Sequence, residues 1–223
     1  MRRTVRLLTA VCCLLAATPF YLAHAAGQSV GAGVLSRKIT NLNLTDATLM
    51  ETLGTLSIDY GVPIGFELST TEKYEPKVNL HFTDATLRDV LKAIAGQEPD
   101  YRWEERGGVI NFTPVKSPDA FLGKLLNTRV RRFTVGKGHT KFEIRDAITE
   151  LPEVRSLLEA NKMQALNFYY ASGSKPISFK EGELDVSDTD VRGVLNAVVT
   201  NGRSKMWVVQ RLGENREVLQ IGL

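Results

Sequence analysis

The stretch that decides the fold runs from Val78 to Ile94 and reads VNLHFTDATLRDVLKAI. Its first part alternates apolar and polar residues around Leu80 and Phe82, which is the period of a half-buried strand. Its second part changes to the period of a helix, with an apolar stripe formed by Leu87, Val90, Leu91 and Ile94. The Thr-Asp pair between the two parts predicts a helix N-cap at Asp84, because a side-chain oxygen there can accept from free N–H groups. The stretch therefore predicts a strand that leads directly into an amphipathic helix.

The pentapeptide TDATL occurs twice, at Thr45–Leu49 and at Thr83–Leu87, with a spacing of 38 residues. Each copy follows an alternating segment and precedes a helical stripe. After each helix the sequence returns to strand character, and the second return is a hairpin pattern around Gly107 and Gly108. Residues 37–114 are therefore predicted to form one unit of order β-α-β-β-α-β-β.

A second, more divergent unit is predicted over residues 129–223. Seven residues of the first unit recur at a constant spacing of 104: Leu80, Asp84, Arg88, Val90, Leu91, Ala93 and Trp103 correspond to Leu184, Asp188, Arg192, Val194, Leu195, Ala197 and Trp207. Residues 115–128 form a connector with the pattern of a short helix that begins near Ser117 and Pro118. The predicted fold class is α+β: two tandem βαββαββ domains, each with small, mostly antiparallel sheets packed with two helices.

The N-terminus has the three-part pattern of a secretory signal peptide over residues 1–25. Arginines at 2, 3 and 6 precede an apolar stretch at 7–17, and small residues flank a predicted cleavage after Ala25. The stretch is shorter than the roughly 20 residues that span a bilayer, although an uncleaved anchor is the alternative. Cleavage leaves a flexible, Gly- and Ser-rich lead-in at 26–36 and predicts periplasmic localisation in a Gram-negative envelope.

Removing the signal peptide also changes the charge balance. Three of the 28 Lys and Arg residues leave with it, so that 25 basic residues face 25 acidic ones. Both cysteines, at 12 and 13, leave as well. We therefore expect no nucleic-acid partner, because phosphate binding needs a local positive excess, and no thiol chemistry.

The stretch Val78–Ile94, the terminal hairpin and the βαββαββ order resemble the short N-terminal domain of secretins and TonB-dependent receptors. The resemblance covers both units, with the second copy, Leu184–Val198, more divergent. It implies a periplasmic protein-interaction module, which contacts secretion machinery in secretins and an anti-sigma regulator in receptors. No barrel sequence follows Leu223 here. We therefore expect an adaptor or accessory component of an envelope secretion, uptake or signalling system, with an unidentified envelope protein as partner.

No catalytic, cofactor or metal site is predicted. His81 and His139 have no second ligand at metal-binding spacing. The glycine-rich segment at 136–140 does not meet the phosphate-loop spacing, and no nucleophile, base and orienting group can be assembled. We expect a protein that is not an enzyme. The alternatives are a small-molecule sensor or carrier, with a pocket lined by Phe168, Tyr170 and Trp207, and an envelope enzyme of unknown type.

Three residues are candidates for partner binding. Trp103 and Trp207 occupy equivalent positions, for which core packing is the favoured interpretation and an aromatic anchor on an exposed sheet face is the alternative. Gln220 lies in Val218–Ile221, which we predict to be an edge strand, as is the strand around Pro63. Edge strands have unpaired backbone groups that can accept a strand from another protein or from a second copy of the chain.

Overall fold

The computed structural model describes residues 30–68, 77–116, 119–166, 183–213, 215 and 217–223. The predicted signal peptide, the predicted helix start at Ser117 and Pro118, and the aromatic residues Phe168 and Tyr170 lie outside these ranges. Among the described residues, no helix has both the length and the apolar character needed to cross a membrane.

The first unit has the element order predicted from the sequence. It is preceded by a short helix in which Val34 and Leu35 are buried, so the prediction of a flexible lead-in was wrong for this part of residues 26–36. Its elements are α1 (Val30–Leu35), β1 (Lys38–Thr48), α2 (Leu49–Ile58), β2 (Ile64–Glu67), β3 (Lys77–Thr86), α3 (Leu87–Gln97), β4 (Tyr101–Arg106) and β5 (Val109–Pro114). The second unit repeats this order with its first helix divided in two. The connector helix and the second unit comprise α4 (Ala120–Leu126), β6 (Arg129–Val135), α5 (Lys141–Thr149), α6 (Pro152–Ala160), β7 (Gln164–Ala165), β8 (Leu184–Asp190), α7 (Val191–Asn201), β9 (Met206–Leu212) and β10 (Val218–Gly222).

The α+β fold class is confirmed, but one sheet is larger than predicted and, among the described strands, has three parallel and two antiparallel pairings instead of mostly antiparallel ones. Strands β1 and β3 form an antiparallel ribbon in the first unit, and β6 and β8 form the corresponding ribbon in the second. The other described strands form a single six-stranded sheet of order β4-β5-β2-β9-β10-β7. Its centre is the parallel pair β2·β9, which joins the two units edge to edge.

Each unit covers a different face of this shared sheet. In β2, Ile64 and Phe66 belong to the core of the first unit, whereas Trp207 of β9, opposite Gly65, belongs to the core of the second. Strand β4 runs antiparallel to β9, because β4·β5 is antiparallel and both β5·β2 and β2·β9 are parallel. The two units are therefore related by a half-turn about an axis lying in the sheet, combined with a shift of three strands.

The helix caps differ from the prediction. Thr86 caps α3 in a reciprocal capping box with Asp89, and Thr48 caps α2 in the same way. The predicted cap Asp84 pairs instead with Lys38, at 3.1 Å. These assignments were wrong because the strand continues through the Thr-Asp pair, so that the helix starts two residues later than expected.

The cap of α7 is shifted by the same two residues. Asp190 accepts from the Gly193 backbone N–H at 2.7 Å and caps the helix. Asp188, the counterpart of the predicted cap Asp84 in the repeat, has a φ of 50° and forms an exposed ion pair with Arg129.

Charged groups also join the two units. Arg192 of α7 donates to Glu67 of β2 at 2.5 Å, and both side chains are buried. Arg106 of β4 forms an ion pair with Asp190 at 2.9 Å. The seam between the units is thus built from a sheet pairing, a buried ion pair and an ion pair at its border.

Candidate protein-binding edge

Strand β4 ends the described part of the six-stranded sheet, and its backbone has a clear alternation. A two-residue turn separates Arg106 from Val109, and the Val115 backbone N–H donates to the Asp100 carbonyl at 2.7 Å. In an antiparallel ladder only alternate residues bond to the neighbouring strand. Even-numbered residues of β4 therefore direct their backbone groups to β5. Trp103 and Glu105 direct theirs to the opposite side, where no described strand lies, and so does the Tyr101 carbonyl, whereas the Tyr101 backbone N–H donates to the Glu98 carbonyl at 3.1 Å.

Strand β9 shows what such a side can bind. The Ile64 backbone N–H donates to the Lys205 carbonyl at 2.8 Å, and the Leu68 backbone N–H donates to the Val209 carbonyl at 3.0 Å. Trp207 lies between these two positions and is the register partner of Gly65. Odd-numbered residues of β9 therefore bond to β2.

The repeat makes the outward side of β4 equivalent to the side of β9 that faces β2. At the spacing of 104, Trp103 corresponds to Trp207, so that the other outward-facing residues of β4 correspond to Lys205 and Val209. The backbone groups that β9 uses to hold β2 are, in β4, directed away from the sheet. Strand β4 thus presents the same kind of edge that, inside this chain, already binds a parallel strand.

The two tryptophans differ in exposure because, in the part of the chain that the structure describes, a strand covers the edge of β9 but not that of β4. Trp207 is 0% exposed and donates from Nε1 to Oδ1 of Asn196 at 2.8 Å. Its packing interpretation is confirmed, and it offers no surface to a separate protein. Trp103 is half-buried, packs against the core of the first unit and lies on β4 opposite Phe112.

Both strands that were predicted to be sheet edges lie inside the sheet. Strand β2, next to Pro63, is flanked by β5 and β9. Pro63 precedes the strand, and its carbonyl accepts from the Ile110 backbone N–H at 2.9 Å, so that its missing N–H interrupts no pairing.

Strand β10 is flanked by β9 and, at its first two residues, by β7. Gln220 lies on this strand, half-buried, with its side chain hydrogen-bonded to Gln210 of β9. The prediction that β10 is an edge was therefore wrong. The edge strand β4 was not singled out from the sequence.

The exposed face of β4 is charged. Arg102, Glu104 and Arg106 are exposed, and they alternate with the half-buried Tyr101, Trp103 and Glu105. Arg102 also donates to the Thr113 hydroxyl at 3.2 Å. The Glu105 carboxylate accepts from the Gly108 backbone N–H at 2.7 Å and ties the hairpin turn to its own strand.

His81 and His139 each have a local partner. Nδ1 of His81 lies 2.5 Å from Oδ1 of Asn43 on the neighbouring strand, and Nδ1 of His139 lies 3.6 Å from a carboxylate oxygen of Glu143. Thr140 caps α5 in a capping box with Glu143, and the hydrogen bond from the Thr140 backbone N–H lowers the pKa of Glu143. Within the ranges that the structure describes, no group of three or more His, Cys, Asp or Glu residues could hold a metal ion.

A cleft of about 490 Å³ lies between α2 and β9 and is lined in part by Ile58, Met206 and Leu223. It differs from the predicted ligand pocket, because Trp207 does not line it and is buried in the core. Comparison of the sequence with models of known protein families and with curated proteins finds no match.

Proposed function

We propose that this chain is an exported, non-catalytic protein-interaction module of the periplasm. In this proposal it serves as an adaptor or accessory component of an envelope secretion, uptake or signalling system. It binds an extended segment of a partner protein along β4. The observation that carries the proposal is the correspondence between the outward backbone groups of β4 and those through which β9 holds β2.

The surroundings of β4 favour a strand-binding role over a catalytic one. The strand is fixed from behind by β5 and by the hairpin turn, so that its outward N–H and C=O groups are preorganised. Main-chain hydrogen bonds then supply affinity, and the half-exposed ring of Trp103 supplies apolar contact area. The signal-peptide pattern at the N-terminus supports an envelope location.

The test removes one outward N–H group. Glu105→Pro deletes an amide that does not bond to β5 and places the proline ring where the incoming strand would lie. Glu105→Ala is the matched control, because it loses the same contact to Gly108 and keeps the amide. Both variants are expressed with a tag in the native cells, cross-linked, purified and analysed by mass spectrometry, with folding checked by circular dichroism.

We expect the alanine variant to capture the same envelope protein as the natural chain and the proline variant to lose it. Equal capture by both folded variants would refute β4 as the binding strand. Capture of only the chain itself, with the same dependence on the Glu105 amide, would identify a second copy as the partner.

A further inference from the structure

The internal pair β2·β9 also indicates which strand β4 accepts. We infer that the partner segment runs parallel to β4 and has glycine opposite Trp103, preceded by an acidic residue and followed by a basic one. This inference rests on the proposed function. It adds the direction, the register and the side-chain chemistry of the bound segment.

The direction and the register follow from the repeat. Strand β2 is parallel to β9, with Gly65 opposite Trp207. Because the outward groups of β4 correspond to those of β9, a strand that pairs with β4 in the same way is parallel to it. Its residue at the position of Gly65 then lies opposite Trp103.

The small residue follows from the space beside the ring. A Cβ atom on Gly65 would lie 2.3 Å from Cζ2 of Trp207 and 2.7 Å from Oδ1 of Asn111. Within this chain the indole therefore occupies the volume that a side chain on the neighbouring strand would need. Trp103 has the same indole at the equivalent backbone position. A glycine opposite it lets the two strands approach while the ring packs over the backbone.

The charged residues of the bound segment follow from the positions at which β4 and β9 have different residue types. The register partners of Ile64 and Phe66 on β9 are Met206 and Val208, and both pack against the apolar core of the first unit. The equivalent positions on β4 are Arg102 and Glu104, which are exposed. Directly opposed side chains on neighbouring strands favour opposite charges. The bound segment therefore has an acidic residue opposite Arg102 and a basic residue opposite Glu104.

Three labelled synthetic peptides test this chemistry against the full mature chain. The peptide TVDGKVT has the inferred order, TVDVKVT replaces the glycine by valine, and TVKGDVT reverses the charges. Binding is measured by fluorescence anisotropy, and the site is located by amide hydrogen exchange at Trp103 and Glu105.

We expect TVDGKVT to bind and to protect both amides. The valine peptide should bind about tenfold more weakly or worse, because overpacking of this kind is costly. The charge-reversed peptide should bind severalfold more weakly, with the difference shrinking in high salt. In Trp103→Ala the glycine and valine peptides should bind alike, because the ring that excludes valine is gone.

Equal binding of the glycine and valine peptides to the natural chain would overturn the inference, as would protection at amides other than those of β4. Absence of binding by all three peptides, with capture in cells still dependent on the Glu105 amide, would also overturn it and leave the proposed function standing. Selective binding of TVDGKVT at β4, with capture unaffected by Glu105→Pro, would support the inferred chemistry and refute the proposed function.

Discussion

Replacing Gly65 by alanine should destabilise the whole protein, because a single methyl group would fall inside the seam between the two units. The Cβ atom would lie 2.3 Å from Cζ2 and 2.4 Å from Cε2 of Trp207, and 2.7 Å from Oδ1 of Asn111. Neither neighbour can turn into solvent, because both are 0% exposed. The backbone of β2 would have to move away from β9, or the indole would have to rotate.

Both responses carry a cost that can be estimated. Forcing extra atoms into a packed core costs about 1–3 kcal/mol. Rotation of the indole would also strain the 2.8 Å hydrogen bond from Trp207 to Asn196. Leaving a buried donor unpaired costs about 1–3 kcal/mol. The two costs are alternatives in part, so we expect a loss of about 2–4 kcal/mol in the free energy of unfolding.

Urea denaturation followed by circular dichroism measures this loss. Gly54→Ala is the control, because Gly54 lies within α2 with no atom within 4 Å of an added Cβ. Removing a glycine from a helix interior should stabilise the protein by up to about 1 kcal/mol. The two Gly→Ala changes therefore have opposite predicted signs.

The same substitution in a Trp207→Leu protein tests whether the indole ring causes the loss of stability. Trp207→Leu removes the ring and destabilises the protein by itself, but it also vacates the space beside Gly65. The cost of Gly65→Ala should then shrink by at least about 1 kcal/mol, which is a coupling of the size expected for residues in contact. An equal cost in both backgrounds would refute the packing argument, as would a Gly65→Ala protein as stable as the natural one.

Two further predictions concern charged groups. Glu67→Gln should lower the free energy of unfolding, measured by urea denaturation, by about 3–5 kcal/mol, because it leaves the buried Arg192 guanidinium uncompensated. Methionine at both positions should restore most of the loss. An unchanged urea midpoint in Glu67→Gln would contradict the argument. The Thr86 hydroxyl and backbone N–H lower the pKa of Asp89. The charged Asp89 carboxylate therefore stabilises the fold above the unfolded-state pKa of about 4. That stabilisation disappears as the pH falls through the lower folded-state pKa. The difference in urea midpoint between the natural chain and Asp89→Asn should therefore be present at pH 7 and shrink towards pH 3, and a difference that grows on acidification would reverse the assigned sign.

The local elements were predictable because each is determined by residues close in sequence. The alternation around Leu80 and the stripe that starts at Leu87 placed β3 and α3 almost as observed. Gly107 and Gly108 likewise predicted the β4·β5 hairpin, in which both residues have a positive φ. In each case the deciding residues lie within one turn or one strand of each other.

The joining of the two units was not predictable in the same way. Strand β2 pairs with β9, and their register partners Gly65 and Trp207 lie far apart in the sequence. Pro63 suggested an edge, because proline lacks a donor, yet it sits just before the strand, where no donor is needed. A useful signal was present in the repeat itself. Trp207 in a buried strand and Trp103 beside charged residues indicate that one copy is covered and the other is not.

That contrast explains why β4 can remain open without pairing indiscriminately. A half-turn with a shift of three strands leaves each unit a side that can accept a strand, and in the second unit β2 fills it. In the first unit the same side is bordered by Arg102, Glu104 and Arg106, whereas the equivalent residues of β9 are Met206, Val208 and Gln210. Charged residues on an edge strand oppose pairing with apolar strands. We therefore expect the edge to disfavour a second apolar segment like β2 and, in the binding proposed above, to pair with a segment of complementary charge that has glycine opposite Trp103.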